Sequence, residues 1–248
     1  MAQARKAETA KDRAETPAIA FDSVEFAWPG SASFRIEIEE LAIARGDRVA
    51  LLGPSGCGKS TFLSLLCGVV TPDAGDVTIL GQSLGTLGGP ARDRFRGDHI
   101  GVIFQLFNLL PYATVTQNIL LPLTFAPERR RRVDDPALEA TQLLSALGLE
   151  TALADAPARD LSVGQQQRVA VARALIGSPE IIAADEPTSA LDADRRDHFL
   201  DLLFAKAEET RTTVILVTHD PSVAARFDRQ IALSDVARVS RDDAGGTL

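Results

Sequence analysis

The sequence is poor in the residues that lock or anchor small proteins. It holds two cysteines, one tryptophan, one tyrosine and one methionine among 248 residues. Cys57 and Cys67 supply neither a disulfide framework nor a metal-ligand spacing, and read as small packed residues that suit a reducing cytoplasm. Lysine occurs only at positions 6, 11, 59 and 206, so arginine carries most of the positive charge. Even so, acidic residues outnumber basic ones by 34 to 26, and the net charge of −8 argues against nucleic acid as the main partner. Long hydrophobic runs are missing too. No stretch approaches the length of about 18 apolar residues that a membrane-spanning helix needs. The polar opening "MAQARKAETAKDRAETPA" lacks the apolar region of a secretory signal. Any work at a membrane would go through a partner. Internal repeats and low-complexity segments are absent as well.

What is present is an ordinary globular composition, 45% hydrophobic and 24% charged, on a chain long enough for a large domain or a domain with a subdomain. Apolar runs of strand length recur at 18–26, 34–38, 48–53, 76–80, 100–105, 181–185, 213–218 and 230–234. Several are fully apolar and lead into a helical pattern, as buried parallel strands do. The early runs alternate more and are separated by "PG" and "RGD" turns, which predicts an antiparallel sheet. Between 106 and 177 the periodicity is mostly helical, as in "ALEATQLLSALGL" (137–149) and "QQQRVAVARALIG" (165–177). The expectation is an α/β chain with one domain over 18–240, its helical subdomain at about 106–177, a disordered tail over 1–17 and a short polar tail over 241–248. The run "RRRR" (129–132) breaks the pattern between two helices. It reads as a solvated surface loop, with contact to anionic lipid as the alternative.

The stretch "LLGPSGCGKST" (51–61) carries the first chemistry. Gly53, Gly58, Lys59 and Ser60 match the phosphate-loop pattern in full, after a strand and before a helix. Glycines let the N–H groups of Gly53, Ser55, Gly56, Cys57 and Gly58 wrap phosphates, with Pro54 shaping the loop, and the helix N-terminus adds its positive end. Lys59 would reach the β- and γ-phosphates, the Ser60 hydroxyl would ligate Mg²⁺, and Thr61 completes the loop. At average residue frequencies a chance match over this length has a probability of about 1%. The loop alone does not separate an ATPase from a GTPase or a kinase. The sequence has no Asn-Lys-x-Asp guanine reader.

A second apolar strand, "IIAADEPTSALD" (181–192), runs into Asp185 and Glu186. Carboxylates at the carboxyl end of such a strand sit where ligands bind in open α/β sheets. Asp185 would hold Mg²⁺ through its water shell, and Glu186 would polarise an attacking water. An acidic pair opening a turn before Pro187 would carry little weight alone. After a complete phosphate loop it does.

The remaining motifs identify a family. "LSVGQQQR" (161–168), placed about 20 residues before the acidic strand, resembles the signature usually written LSGGQ of ATP-binding cassette (ABC) ATPases. Gln105 at a strand end is similar to that family's Q-loop glutamine, "SALD" (189–192) to its D-loop, and His219 in "VTHD" to its switch histidine. "FAWPG" (26–30) puts Trp28 where an aromatic stacks on adenine. The resemblance spans about 18–240 and implies a P-loop core with a mostly parallel sheet, an antiparallel β-subdomain and a helical subdomain. It implies ATP and Mg²⁺ as cofactors, with Gln105 beside Ser60 and Asp185 at the metal and Glu186, His219 and Gln105 acting in hydrolysis. It also implies a head-to-tail dimer, expected to be a homodimer, in which Ser162, Gly164 and Gln165 of one subunit complete the nucleotide site of the other. One position departs from the pattern. Val163 replaces the usual first glycine, and a β-branched residue does not take φ > 0 cheaply. Ser162 and Gly164 are expected to carry most of the contact regardless.

The resemblance further implies a separate membrane subunit, docked through a coupling helix, and a peripheral place on the cytoplasmic face of the inner membrane. Phe107, Leu109, Leu110, Pro111 and Tyr112, after the Q-loop, are expected to form an exposed apolar docking surface. The wording "FQLFNLLP…TVTQNILLPL" with "ADEPTSALD" is most similar to the subgroup serving lipoprotein release and macrolide-type export. An ATPase subunit of an amino-acid or small-solute importer is the alternative within transport. Soluble ABC ATPases and P-loop kinases are the alternatives outside it. A single cassette without a heptad insert speaks against the former, and the signature against the latter.

Overall fold

The computed structural model describes residues 16–29, 34–189, 191 and 193–240. Residues 1–15 of the expected tail over 1–17, the tail over 241–248, Gly30 of "FAWPG", and Ala190 and Asp192 of "SALD" lie outside the described residues. The chain forms two compact units: Met1–Arg92 with His219–Leu248, and Asp93–Thr218.

The first unit opens with β1 (Ile19–Ala27), β2 (Arg35–Ile43) and β3 (Arg48–Leu52), followed by helix α1 (Lys59–Leu66), β4 (Ala74–Ile79) and β5 (Gln82–Ser83). β1 pairs antiparallel with β2 from Ile19↔Ile43 to Ala27↔Arg35, and with β4 across a bulge between Asp22 and Glu25. Alternation decides which face is buried. Ile19, Phe21, Val24 and Phe26 on β1, with Ile36, Ile38, Leu41 and Ile43 on β2, are each 6% exposed or less. Each such side chain contributes about 1.5–3 kcal/mol of burial. Phe21 stacks on Phe62 of α1 with ring centroids 4.9 Å apart, so the helix that follows the phosphate loop rests on this sheet.

Helix α2 (Gly89–His99) leads into the second unit. There follow β6 (Ile100–Ile103), the helices α3 (Val115–Leu120), α4 (Pro127–Arg131), α5 (Pro136–Ala146) and α6 (Val163–Leu175), then β7 (Ile181–Asp185), α7 (Ala193–Thr210) and β8 (Thr213–Thr218). β6, β7 and β8 form a parallel ladder, Ile100↔Ile181 and Ile181↔Thr213 in register. Every residue of β8 and the first four of β7 are buried, as their continuous apolar sequence requires. Gly101 has a packing reason: a Cβ there would lie 2.3 Å from the Ala174 carbonyl, so α6 lies directly on β6. The chain then returns to the first unit as α8 (Pro221–Ala224), β9 (Arg229–Ala232), α9 (Leu233–Val236) and β10 (Ala237–Ser240). β9 pairs parallel with β3, and β10 joins the antiparallel sheet on the outer edge of β2.

Several expectations are corrected. The run at 34–38 belongs to a nine-residue strand, and the one at 100–105 ends at Ile103, which leaves Gln105 in the loop beyond. The run 230–234 is divided between β9 and α9. The stretch from 106 is not continuously helical: Phe107 and Asn108 take left-handed backbone (φ 58° and 48°), and regular helix resumes at Val115 behind a Thr114–Gln117 capping box. Phe107 is 6% exposed and so belongs to the core rather than to a docking surface, whereas Tyr112 is 75% exposed. The arginine run is not a solvated loop throughout. Arg129 sits inside α4 at 2% exposure, while its three neighbours are exposed.

Candidate active site

The first unit supplies a candidate phosphate cradle. β3 ends at Leu52, and the loop turns through Gly56 and Gly58 with φ of 80° and 106°, a backbone region that side-chain-bearing residues enter at a cost. Gly58 is the N-cap of α1 and has no side chain to occupy the N–H groups behind it. The loop is tight, since a Cβ on Gly53 would meet Cys57 Sγ at 2.4 Å. Lys59 is 6% exposed, and its ammonium donates to the carbonyls of Gly53 and Pro54 at 2.9 Å each. That folds the cation across the loop mouth, bonded to weak neutral acceptors that an anionic phosphate outcompetes. Ser60 is exposed in the first turn of α1, next to Thr61. Thr61 is 8% exposed, and its hydroxyl accepts from Trp28 Nε1 at 3.2 Å. Trp28 stands edge-on to Phe26 with centroids 5.1 Å apart and keeps 40% of its surface exposed. The indole is therefore tethered to the helix that carries Lys59 and Ser60. His219, exposed, follows directly after β8 and precedes Asp220, which caps α8.

The second unit gathers the other motifs. β7 delivers Asp185 at its end, and Glu186 follows with φ 43°, its N–H bonded to the Val217 carbonyl at 3.1 Å. A left-handed glutamate at a strand end is strained, and such strain clusters at functional positions. Gln105 donates from Nε2 to the Ser189 hydroxyl at 3.3 Å, which joins two motifs that lie far apart in sequence.

The signature forms the N-terminus of α6. Ser162 is the N-cap with φ −62°, its hydroxyl accepting from Gln165 N at 3.3 Å while Gln165 Oε1 accepts from Ser162 N at 2.8 Å. Gln165 is thus a capping residue in this state. Val163 is the first helical residue, 52% exposed and without positive φ, so the position demands no glycine. An added Cβ on Gly164 would meet nothing within 4 Å, which leaves that turn open to a ligand.

Sequence reasoning missed four residues around the signature. Gln167, 3% exposed on α6, donates to the Pro187 carbonyl at 3.1 Å. Arg173, also on α6, holds the carbonyls of Phe107 and Asn108, and burial lowers its pKa. Arg195 and His198 of α7 line a cavity of about 290 Å³ with Ser162, Val163 and Gly164. The glutamine run after Gly164 was the signal available for Gln167. For Arg173 there was none, because its partners are backbone carbonyls.

A phosphate loop on a strand–helix turn, a strand-end carboxylate pair and a helix N-cap open to an anion define a P-loop nucleoside triphosphatase. The chain belongs to the ABC transporter family, whose model matches residues 37–189. It is 40% identical over 203 residues to the lipoprotein-releasing system ATP-binding protein LolD of Chromohalobacter salexigens, covering 82% of this chain and 84% of that one. It is 42% identical over 196 residues to the macrolide export ATP-binding/permease protein MacB of Shigella flexneri, covering 79% of this chain and 29% of that longer protein. A dimeric post-hydrolysis structure of the ATP-binding cassette MJ0796, bound to ADP and Pi, superposes with a TM-score of 0.73 at 37% identity, covering 90% of this chain and 98% of that one. The protein is an ATP-binding and ATP-hydrolysing ABC transporter subunit. Among the described residues no helix is long and apolar enough to cross a membrane.

Proposed function

We propose that this subunit binds ATP between two copies of itself and uses closure of that dimer to drive a separate membrane subunit of the lipoprotein-release or macrolide-export type. The N–H groups of Gly53–Thr61, where present, and the Lys59 ammonium hold the phosphates, and Trp28 stacks on the adenine. Ser162 and Gly164 of the second copy close on the γ-phosphate, an electrostatic contact made in trans. Gln165 orients that contact through the capping box. Glu186 polarises the attacking water, and His219 contacts the γ-phosphate.

The donors proposed for Mg²⁺ fit a hard cation. The Ser60 hydroxyl, the Gln105 amide oxygen and the Asp185 carboxylate are all oxygen ligands. Among the described residues there is no cluster of three His, Cys, Asp or Glu that could hold a metal. When bound, Mg²⁺ neutralises phosphate charge; the residues above position and polarise.

The membrane subunit docks its coupling helix on the segment after Gln105, where Leu106 and Tyr112 are 82% and 75% exposed. In this reading the subunit works at the cytoplasmic face of the inner membrane. The observation that carries the export reading is its 40% identity to LolD across nearly the whole of both chains. Co-purification from gently solubilised native membranes, with the closed state trapped by Glu186→Gln and ATP, tests it. A partner with four membrane helices and a large external domain supports the reading. A bundle of five or six helices marks an importer instead.

A further inference from the structure

Helix α6 presents Ser162 at one end; its other end is held by side chains from the arginine run and the helix after it. Arg129 donates from Nε to the Ile176 carbonyl at 2.9 Å, and from Nη2 to the Ala174 carbonyl at 2.9 Å and again to Ile176. Its Nη1 reaches the Gly97 carbonyl at 3.5 Å. Glu139 accepts the Gly177 N–H at 2.8 Å, and Arg132 donates to the Ser178 carbonyl at 2.9 Å. The last carbonyls of a helix lack intrahelical partners, and a planar guanidinium satisfies two of them at once. Burial, with the nearby Arg132 charge, lowers the Arg129 pKa to about 10, so the group stays cationic at neutral pH beside the negative end of the helix dipole.

We propose that Arg129 is a positioning residue for the signature: by fixing the exit of α6 it sets where Ser162 and Gly164 meet the nucleotide of a second copy. This rests on the trans role of those residues given above. The effect is that of a lever: α6 has 13 residues, so Arg129 acts from about 20 Å. A tilt of about 5° at that lever moves the signature by about 1.7 Å. Misplacement of roughly 1 Å costs a reacting geometry about a hundredfold.

The test compares Arg129→Met, Arg129→Lys and Ser162→Ala in a Glu186→Gln background. Three quantities are read: binding of a fluorescent ATP analogue by the monomer, the ATP concentration that drives dimerisation, and amide exchange across 165–175. Arg129→Met is expected to bind ATP within twofold of the parent and keep α6 protected, yet to need at least tenfold more ATP to dimerise. Arg129→Lys, which keeps the charge but cannot fork across two carbonyls, falls between, and Ser162→Ala resembles Arg129→Met. Unchanged dimerisation in Arg129→Met overturns the inference. So does lost protection across α6, which would make Arg129 a residue of the fold alone. Unchanged dimerisation in Ser162→Ala overturns the signature assignment first, and this inference with it.

Discussion

The Gln167 carboxamide donates to the Pro187 carbonyl at 3.1 Å, which ties the signature helix to the residue after Glu186. Gln167 is 3% exposed, so the bond is shielded from water. Gln167→Leu strands the Pro187 carbonyl, at a cost of about 1–3 kcal/mol. The expected result is a thermal midpoint lowered by a few degrees and a kcat reduced about tenfold, with KM for ATP little changed. Melting curves and steady-state ATPase assays check both.

Val163→Gly is expected to leave the ATPase rate within about threefold. Val163 already has right-handed helical backbone at the first position of α6, so glycine relieves no strain there. A gain of a hundredfold or more in the ATPase rate would show that valine degrades the site.

Glu180 predicts an acid dependence of stability. Burial raises its pKa, but hydrogen bonds from His99 at 3.1 Å and Arg132 at 2.8 Å, with their charges, outweigh burial and hold the carboxyl below its ordinary value. A depressed carboxyl stabilises the fold above its unfolded pKa, about 4.3, and that contribution is lost as pH falls through the lower folded value. Glu180→Gln should therefore melt below the parent at pH 7, with the gap closing as the pH is taken below about 4. A gap that widens in acid contradicts the assignment.

Much of this was legible in the sequence because it follows local rules. Gly58-Lys59-Ser60 fixes a backbone turn, and the apolar runs at 181–185 and 213–218 became buried parallel strands. The acidic pair fell at a strand end, and Ser162 became an N-cap. What escaped depends on distant partners. Helix α2 carries almost no apolar residues, and Asp98 is its one buried residue, so periodicity gave no signal. Arg129 reads as one of four equal arginines until the exit of α6 arrives beside it. Val163 looked costly because the family pattern has glycine there, whereas the N1 backbone accepts valine.

The central claim is that Glu186 polarises the attacking water on ATP held by the Lys59 loop. Single-turnover hydrolysis by Glu186→Gln, with ATP binding measured on the same sample, tests it most directly. Glu186→Gln should keep ATP affinity near that of the parent and form an ATP-stabilised dimer, with hydrolysis slowed at least a hundredfold, while Lys59→Ala loses binding itself. Hydrolysis at the parent rate by Glu186→Gln would contradict it.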